Sequence, residues 1–263
     1  MLDRLLAYSP NLKQSWILVV IAALCGIACG VIREIMKGIF VPGWGDLSGD
    51  ILHYIIVAMI VVRLGKGDKY EPVASPRRPP LLWLLLVPFT LSISPLVEPL
   101  SAWIPMPVFM KKIFLQAFHS GLPSFLLTVV IGPVYEEWLC RGIILKGLLR
   151  RYSPLKAIVW SAVIFAVMHL NPWQAVSAFF IALAIGWIYW HTRSLWCCIF
   201  MHAINNAMGF LMLFLLPDTP IDTDLSDIAG GYYIYAVALL VCALTGICIK
   251  KLFSGRAPDV GTA

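Results

Sequence analysis

The sequence predicts an all-α polytopic membrane protein with about eight transmembrane helices and an active site within the membrane. Three observations carry this reading. The 263 residues are 60% hydrophobic and only 13% charged, against about 25% charge in a soluble domain. The mean hydropathy is +0.85. The apolar runs approach the ~20 residues needed to cross the hydrocarbon core, and little chain lies between them. The net charge of +6 is spread over short loops with no basic-aromatic groove. It reads as a topology signal, and no nucleic-acid partner is expected. The seven cysteines form no CxxC pair, fall in apolar runs and read as packing residues.

The expected spans, in order, are 16–32, 47–64, 81–103, 121–150, 155–170, 173–191, 194–216 and 232–252. The first is long enough to be a retained span and not a cleaved signal peptide. The second contains His53. The third is interrupted by Pro88, Pro95 and Pro99 and carries Glu98, which reads as a cap or partner near the outer surface. The fourth is longer than a bilayer requires. Asn171-Pro172 stops the fifth, and Pro217 stops the seventh. The Pro-rich stretch Glu71 to Pro80 reads as a linker. Three regions follow: 1–120 with the first three spans, a catalytic core over 121–216, and 217–263 with an acidic loop, the last span and a tail. No internal repeat is visible.

With the N-terminus in the cytoplasm, sixteen Lys and Arg residues fall on the cytoplasmic side. Four, namely Arg33, Lys37, Lys111 and Lys112, fall on the other. The loop holding Asp218, Asp222, Asp224 and Asp227 lies outside. Positive charge retained in the cytoplasm therefore predicts an integral multi-pass protein with both termini cytoplasmic.

Polar groups at i, i+4 spacing mark the chemistry. Glu137 and Arg141 form one pair, with Glu136 adjacent. Phe165 with His169 and His202 with Asn206 form the others. Residues four apart share a helix face, and charges inside an apolar run are costly unless paired and used. Glu136 and His169 each lie about 16 residues from the turn near Tyr152-Ser153-Pro154, so they sit at one level. Counting depth from Lys146 and Arg193 puts Glu136, His169 and His202 in one layer, roughly midway between the cytoplasmic surface and the bilayer centre. Such a constellation suits hydrolysis. Glu136 is the expected general base, and Glu137 the partner of Arg141. His169 orients the water or protonates the leaving amine, while His202 and Asn206 donate to an oxyanion. Two histidines and one glutamate (His169, His202, Glu136) also match a catalytic zinc set, but no HExxH is present, so the choice between a divalent metal and no cofactor stays open at this point. Trp138 is expected to shape the substrate cleft, Asn205 to be a neighbour, and His53, His119 and His191 to lie at span edges.

EEWLCRG resembles the EExxxRG motif of the CPBP family, the CAAX prenyl proteases and bacteriocin-processing enzymes also called Abi proteins. FAVMH resembles that family's FxxxH and HAINN its HxxxN, in the same order. The resemblance is close over 121–210 and rests on topology alone for the first three spans. It implies an intramembrane endopeptidase that uses Glu136, Glu137, Arg141, His169, His202 and Asn206. The implied substrate is a membrane-embedded or lipid-anchored peptide in the bilayer, such as a prenylated or otherwise anchored C-terminus. Cys140 departs from the apolar or aromatic residue frequent there and reads as packing. Two other readings compete: a catalytically silent immunity factor or scaffold with the same fold, and a proton-coupled transporter, which would require pseudo-symmetric halves.

Overall fold

The computed structural model describes residues 2–41, 43–68, 78–119, 121–220 and 223–254. The Glu71 to Arg77 part of the linker lies outside the described residues, as do Lys69, Asp222 and Arg256 of the charge count and the side chain of His119. The protein is an all-α, multi-pass integral membrane protein. Among the described residues all regular structure is helical: α1 (Leu2–Leu5), α2 (Leu12–Ile39), α3 (Trp44–Leu64), α4 (Pro80–Ser101) and α5 (Val108–His119), then a broken run over 122–149. After it come α9 (Pro154–Met168), α10 (Pro172–Thr192), α11 (Leu195–Leu215), α12 (Leu225–Ala229) and α13 (Tyr233–Phe253). The run consists of α6 (Leu122–Phe125), a π-helical turn (Leu126–Ile131), α7 (Gly132–Glu137), a second π-helical turn (Trp138–Leu145) and α8 (Lys146–Leu149).

All eight expected spans are helical, but six of them (α2, α3, α4, α10, α11 and α13) are long and apolar enough to cross a membrane. The other two are the broken run and the 15-residue α9, the segments that carry the acidic motif and His169. Leu139, Ile143, Ile144, Leu145 and Leu148 of the run are fully buried, so protein, not lipid, surrounds much of it. By contrast, α2 turns Ile17, Val20, Leu24, Ile27 and Val31 outward, and α13 turns out Val237, Leu240, Leu244 and Ile247. These helical stripes are lipid-facing. α4 continues through Pro88, Pro95 and Pro99 without a break. Prolines are tolerated in spanning helices; in this helix Thr90 and Ser92 also donate to the Leu86 and Phe89 carbonyls.

The helices pair as α2 with α3, α4 with α13, and α9 with α10, while α4 also packs on α10 and α11. This gives the bundle two different ends. One holds the N-terminal segment, the 150–153 turn, the Arg193 turn and Lys250–Lys251 at the end of α13. We call it the basic end. The other holds the α2–α3 connection, α5, the Leu170–Asn171 turn and α12, which Glu98 holds by accepting from the Leu225 N–H at 3.3 Å and the Tyr235 hydroxyl at 2.8 Å.

The N-terminal segment is part of the basic end's core. The Trp138 indole donates to the Leu5 carbonyl at 3.1 Å, Lys146 Nζ donates to the Leu6 carbonyl, and Ala7, Tyr8 and Pro10 are buried. A side chain at Gly147 would run into the Pro10 backbone, so the close approach requires glycine there. Burial, with Asp68 nearby, pushes the Tyr8 hydroxyl up from its ordinary pKa. Trp138 thus anchors this segment instead of shaping a substrate cleft, a correction to the sequence expectation.

Candidate active site

The sequence gives local reasons for the irregular run. Pro133 has no N–H to continue the i→i−4 ladder, and the chain is wound in π-form immediately before it. Single π turns inside α-helices recur at functional sites. A Cβ on Gly132 would sit 2.8 Å from the Leu127 carbonyl oxygen, so glycine is needed for the chain to close back on itself. In the next turn, Glu136 and Glu137 lie about 100° apart around the helix and so face different surroundings.

Glu137 is fully buried. Its Oε1 accepts from Arg141 Nη1 at 2.8 Å and from His202 Nδ1 at 2.8 Å. Arg141, equally buried, also donates to the Ala182 carbonyl at 3.0 Å and lies over the Phe165 ring at 4.9 Å. Among the described residues Glu137 Oε2 and Arg141 Nε have no hydrogen-bond partner. Glu136 keeps 29% of its side chain accessible, and its Oε2 is 3.7 Å from His202 Nε2. His202 therefore stands between the two carboxylates.

His169 follows the last turn of α9. Leu170 has φ 54°, a left-handed conformation, and Asn171 caps α10 by accepting from the Gln174 N–H at 2.8 Å. Pro172 disfavours a helical Asn171, so this short turn fixes the level of His169. The His169 Nδ1 bonds the Phe165 carbonyl at 2.9 Å. A carbonyl only accepts, so Nδ1 carries the proton and Nε2 is an acceptor in the neutral ring. The Phe165 ring packs edge-on against both His169 and His202, which accounts physically for the aromatic position of the second motif. Asn206 Nδ2 donates to the Thr128 carbonyl at 2.8 Å, and its Oδ1 accepts from Asn205 at 3.2 Å. Asn205 in turn accepts from Ser94 at 3.0 Å. Cys140 is fully buried against Met168 at 3.6 Å and is a packing residue.

Two cavities meet at Glu136. One, about 510 Å³, runs between α2, α3 and the run, past Gly30, Arg33, Asp50 and His53. The other, about 490 Å³, reaches Thr128, Gln174, Ser177, His202 and Asn206. Tyr54, Glu136, Phe165 and His169 line both. A third, more apolar space of about 510 Å³ continues from the second past Ser94, Met208, Gly209 and Met212 toward α12.

Four of the six expected residues, Glu136, His169, His202 and Asn206, line one cavity, and Glu137 and Arg141 are buried behind His202. The depth estimate, however, is corrected. Lys146 is buried beneath the N-terminal segment, so counting from it does not start at the surface. Glu136 lies 14 residues past Leu122 and 13 before Leu149, about 20 Å from either end of the run. The cavity walls on α3, α9 and α10 come from the halves that point away from the basic end, while α2 lines the first cavity from Val19 to Arg33.

Sequence reasoning missed Tyr54, Tyr135 and His53. The two tyrosine rings stack at 3.9 Å between α3 and α7, and His53 Nε2 bonds the Ala22 carbonyl at 3.0 Å in the cavity wall. His53 had been placed at a span edge. It lies instead three turns into α3, and no local spacing links it to the motifs. Among the described residues no three His, Cys, Asp or Glu side chains form a metal-holding group. His169 holds the Phe165 carbonyl and His202 holds Glu137 through Nδ1, which leaves Nε2 of each ring as the atom available to a water or a metal.

No curated protein and no solved structure matches the chain. Residues 118–208, which hold all three motifs, match the family model of the Type II CAAX prenyl endopeptidase Rce1-like proteins, in agreement with the CAAX-protease resemblance carried by those motifs.

Proposed function

We propose that the protein is an intramembrane endopeptidase that hydrolyses a peptide bond in a membrane-associated protein or peptide. The carrying observation is that Glu136 alone of the motif carboxylates faces both cavities, while Glu137 is committed to Arg141 and His202. Glu136 takes a proton from a water held between it and His169, and the hydroxide adds to the scissile carbonyl carbon. The carbonyl π pair moves to oxygen. The resulting oxyanion is met by the second N–H of Asn206 and by His202 Nε2 when protonated. Collapse of the tetrahedral intermediate breaks the C–N bond, and the leaving amine receives the proton through Glu136 or His169. Glu137 and Arg141 act as positioning residues: the carboxylate fixes the His202 tautomer, and the guanidinium holds that carboxylate in place. Tyr54 and Tyr135 form one wall of the cleft. The charge asymmetry supports cytoplasmic termini.

The test compares the C-termini of membrane proteins in cells carrying the native chain or Glu136→Gln. Native cells are expected to contain shortened products that disappear with Glu136→Gln. Identical C-termini in both, with the protein present in the membrane, would refute the proposal.

A further inference from the structure

We infer that the cleft through Glu136 opens away from the cytoplasm, and that its substrate is a peptide segment on the extracytoplasmic side of a membrane-anchored protein. The part of this inference that concerns cleavage rests on the function proposed above.

Three observations converge. First, among the described residues the segment 2–10 covers the run at the basic end: it is tied to Trp138 and Lys146 and pressed against Gly147. Second, both cavities run from Glu136 to the other end, the first along α2 from Val19 to Arg33. Arg33, Asp50 and Leu170, all at the end away from the docked segment, form the mouth of one, and Gln174 and Ser177, in the first turns of α10, line the other. Leu170 is 73% exposed there.

Third, the Lys and Arg asymmetry orients the bundle. Arg33 lies 3.3 Å from Asp50 and 3.9 Å from Asp46, and Lys37 lies 2.8 Å from Glu34 and 3.2 Å from Asp46. Two of the four cations on the far side therefore face carboxylates on that same side. Arg4, Arg63, Lys66, Arg150 and Arg151 all cluster at the basic end, which the positive-inside rule assigns to the cytoplasm. A lipid-modified C-terminus presented at the cytoplasmic surface would meet the docked segment and not the cleft. A chain leaving the membrane on the other side would meet the mouth directly.

The experiment is thiol labelling in intact cells with a small, charged, membrane-impermeant methanethiosulfonate. Gly30→Cys lines the cavity, and a Cβ there meets nothing within 4 Å. Ser177→Cys is a near-isosteric second probe in the other cavity. Lys66→Cys and Leu155→Cys report the basic end, and the unsubstituted chain sets the baseline. Gly30→Cys and Ser177→Cys are expected to react in intact cells, at least tenfold faster than Lys66→Cys and Leu155→Cys, which should react only after permeabilisation. The reverse order overturns the inference, and so do cavity thiols that react only after permeabilisation or not at all. Labelling needs no proteolysis, so its outcome is separate from that of the Glu136→Gln comparison. If labelling succeeds, a single-span reporter with the same peptide on either face should lose only the extracytoplasmic copy in a Glu136-dependent way. Loss of the cytoplasmic copy alone would overturn the substrate assignment.

Discussion

Two faces of the 122–149 run, separated by a single residue step, are built on opposite principles. On one, Glu137 and Arg141 are wholly excluded from solvent and held at 2.8 Å by each other, with His202, Ala182 and Phe165 completing the enclosure. On the other, Glu136 has no hydrogen bond among the described residues, approaches His202 at 3.7 Å, and keeps 29% of its side chain accessible between two cavities. The contrast shows how an EE pair serves two ends. A buried ion pair contributes little net stability but strongly penalises loss of one partner, so it fixes geometry. A carboxylate left loosely held can exchange a proton with water. The same division makes Glu136 the expected chemical group and Glu137 the expected scaffold, and substitutions can separate them.

The largest expected effect is on chemistry. Glu136→Gln should lower peptide-bond cleavage by about 10²- to 10⁴-fold, the span typical of a lost general base, with thermal unfolding in detergent unchanged. A comparable drop in unfolding temperature would erase the distinction between the faces. Next, Glu137→Ala or Arg141→Ala should each cost about 3–5 kcal/mol by leaving the other charge buried and unpaired. Measured by denaturation in micelles, the double change Glu137→Leu with Arg141→Met should recover much of that loss while cleavage stays abolished. If the double variant is as unstable as the singles, the ion pair is more than a positioning device. Gly132→Ala should destabilise by about 1–3 kcal/mol, as overpacking does, because its Cβ meets the Leu127 carbonyl. Its effect on activity should exceed its effect on folding, since the clash lies one turn before Glu136. The smallest effect belongs to Trp138→Phe. Losing the bond to Leu5 should cost about 0.5–1.5 kcal/mol and show as faster amide exchange in residues 2–10, with little change at Glu136.

The sequence was most legible where one helix carries the signal. The i, i+4 pairs around Arg141, His169 and Asn206 required no tertiary information, and the structure gathers them. Apolar length located every long helix to within a few residues, except that α2 continues to Ile39 through the polar residues Arg33, Glu34 and Lys37. Capping and turn signals worked at Asn171-Pro172, where the side chain and the ring both act locally. What was illegible depends on contacts between helices. Tyr54 and Tyr135 stack only because α3 lies against α7. Trp138 points at the N-terminal segment because the second π turn rotates it there. Lys146 looked like a surface marker, and a lysine ordinarily is one, yet the Leu6 carbonyl holds it inside. That single misplacement shifted the inferred depth of Glu136.

The docked N-terminal segment also has a consequence for biogenesis. Residues 2–10 are synthesised about 130 residues before the surface at Trp138 to Gly147 that receives them, or roughly 6–25 s at ordinary translation rates. Until then Leu5, Leu6 and Tyr8 have only the end of α3 and Gly65 to pack against. The basic end therefore seals late, after the fourth segment has entered the bundle, and a nascent chain halted before residue 138 would leave those side chains available to chaperones or to protease attack.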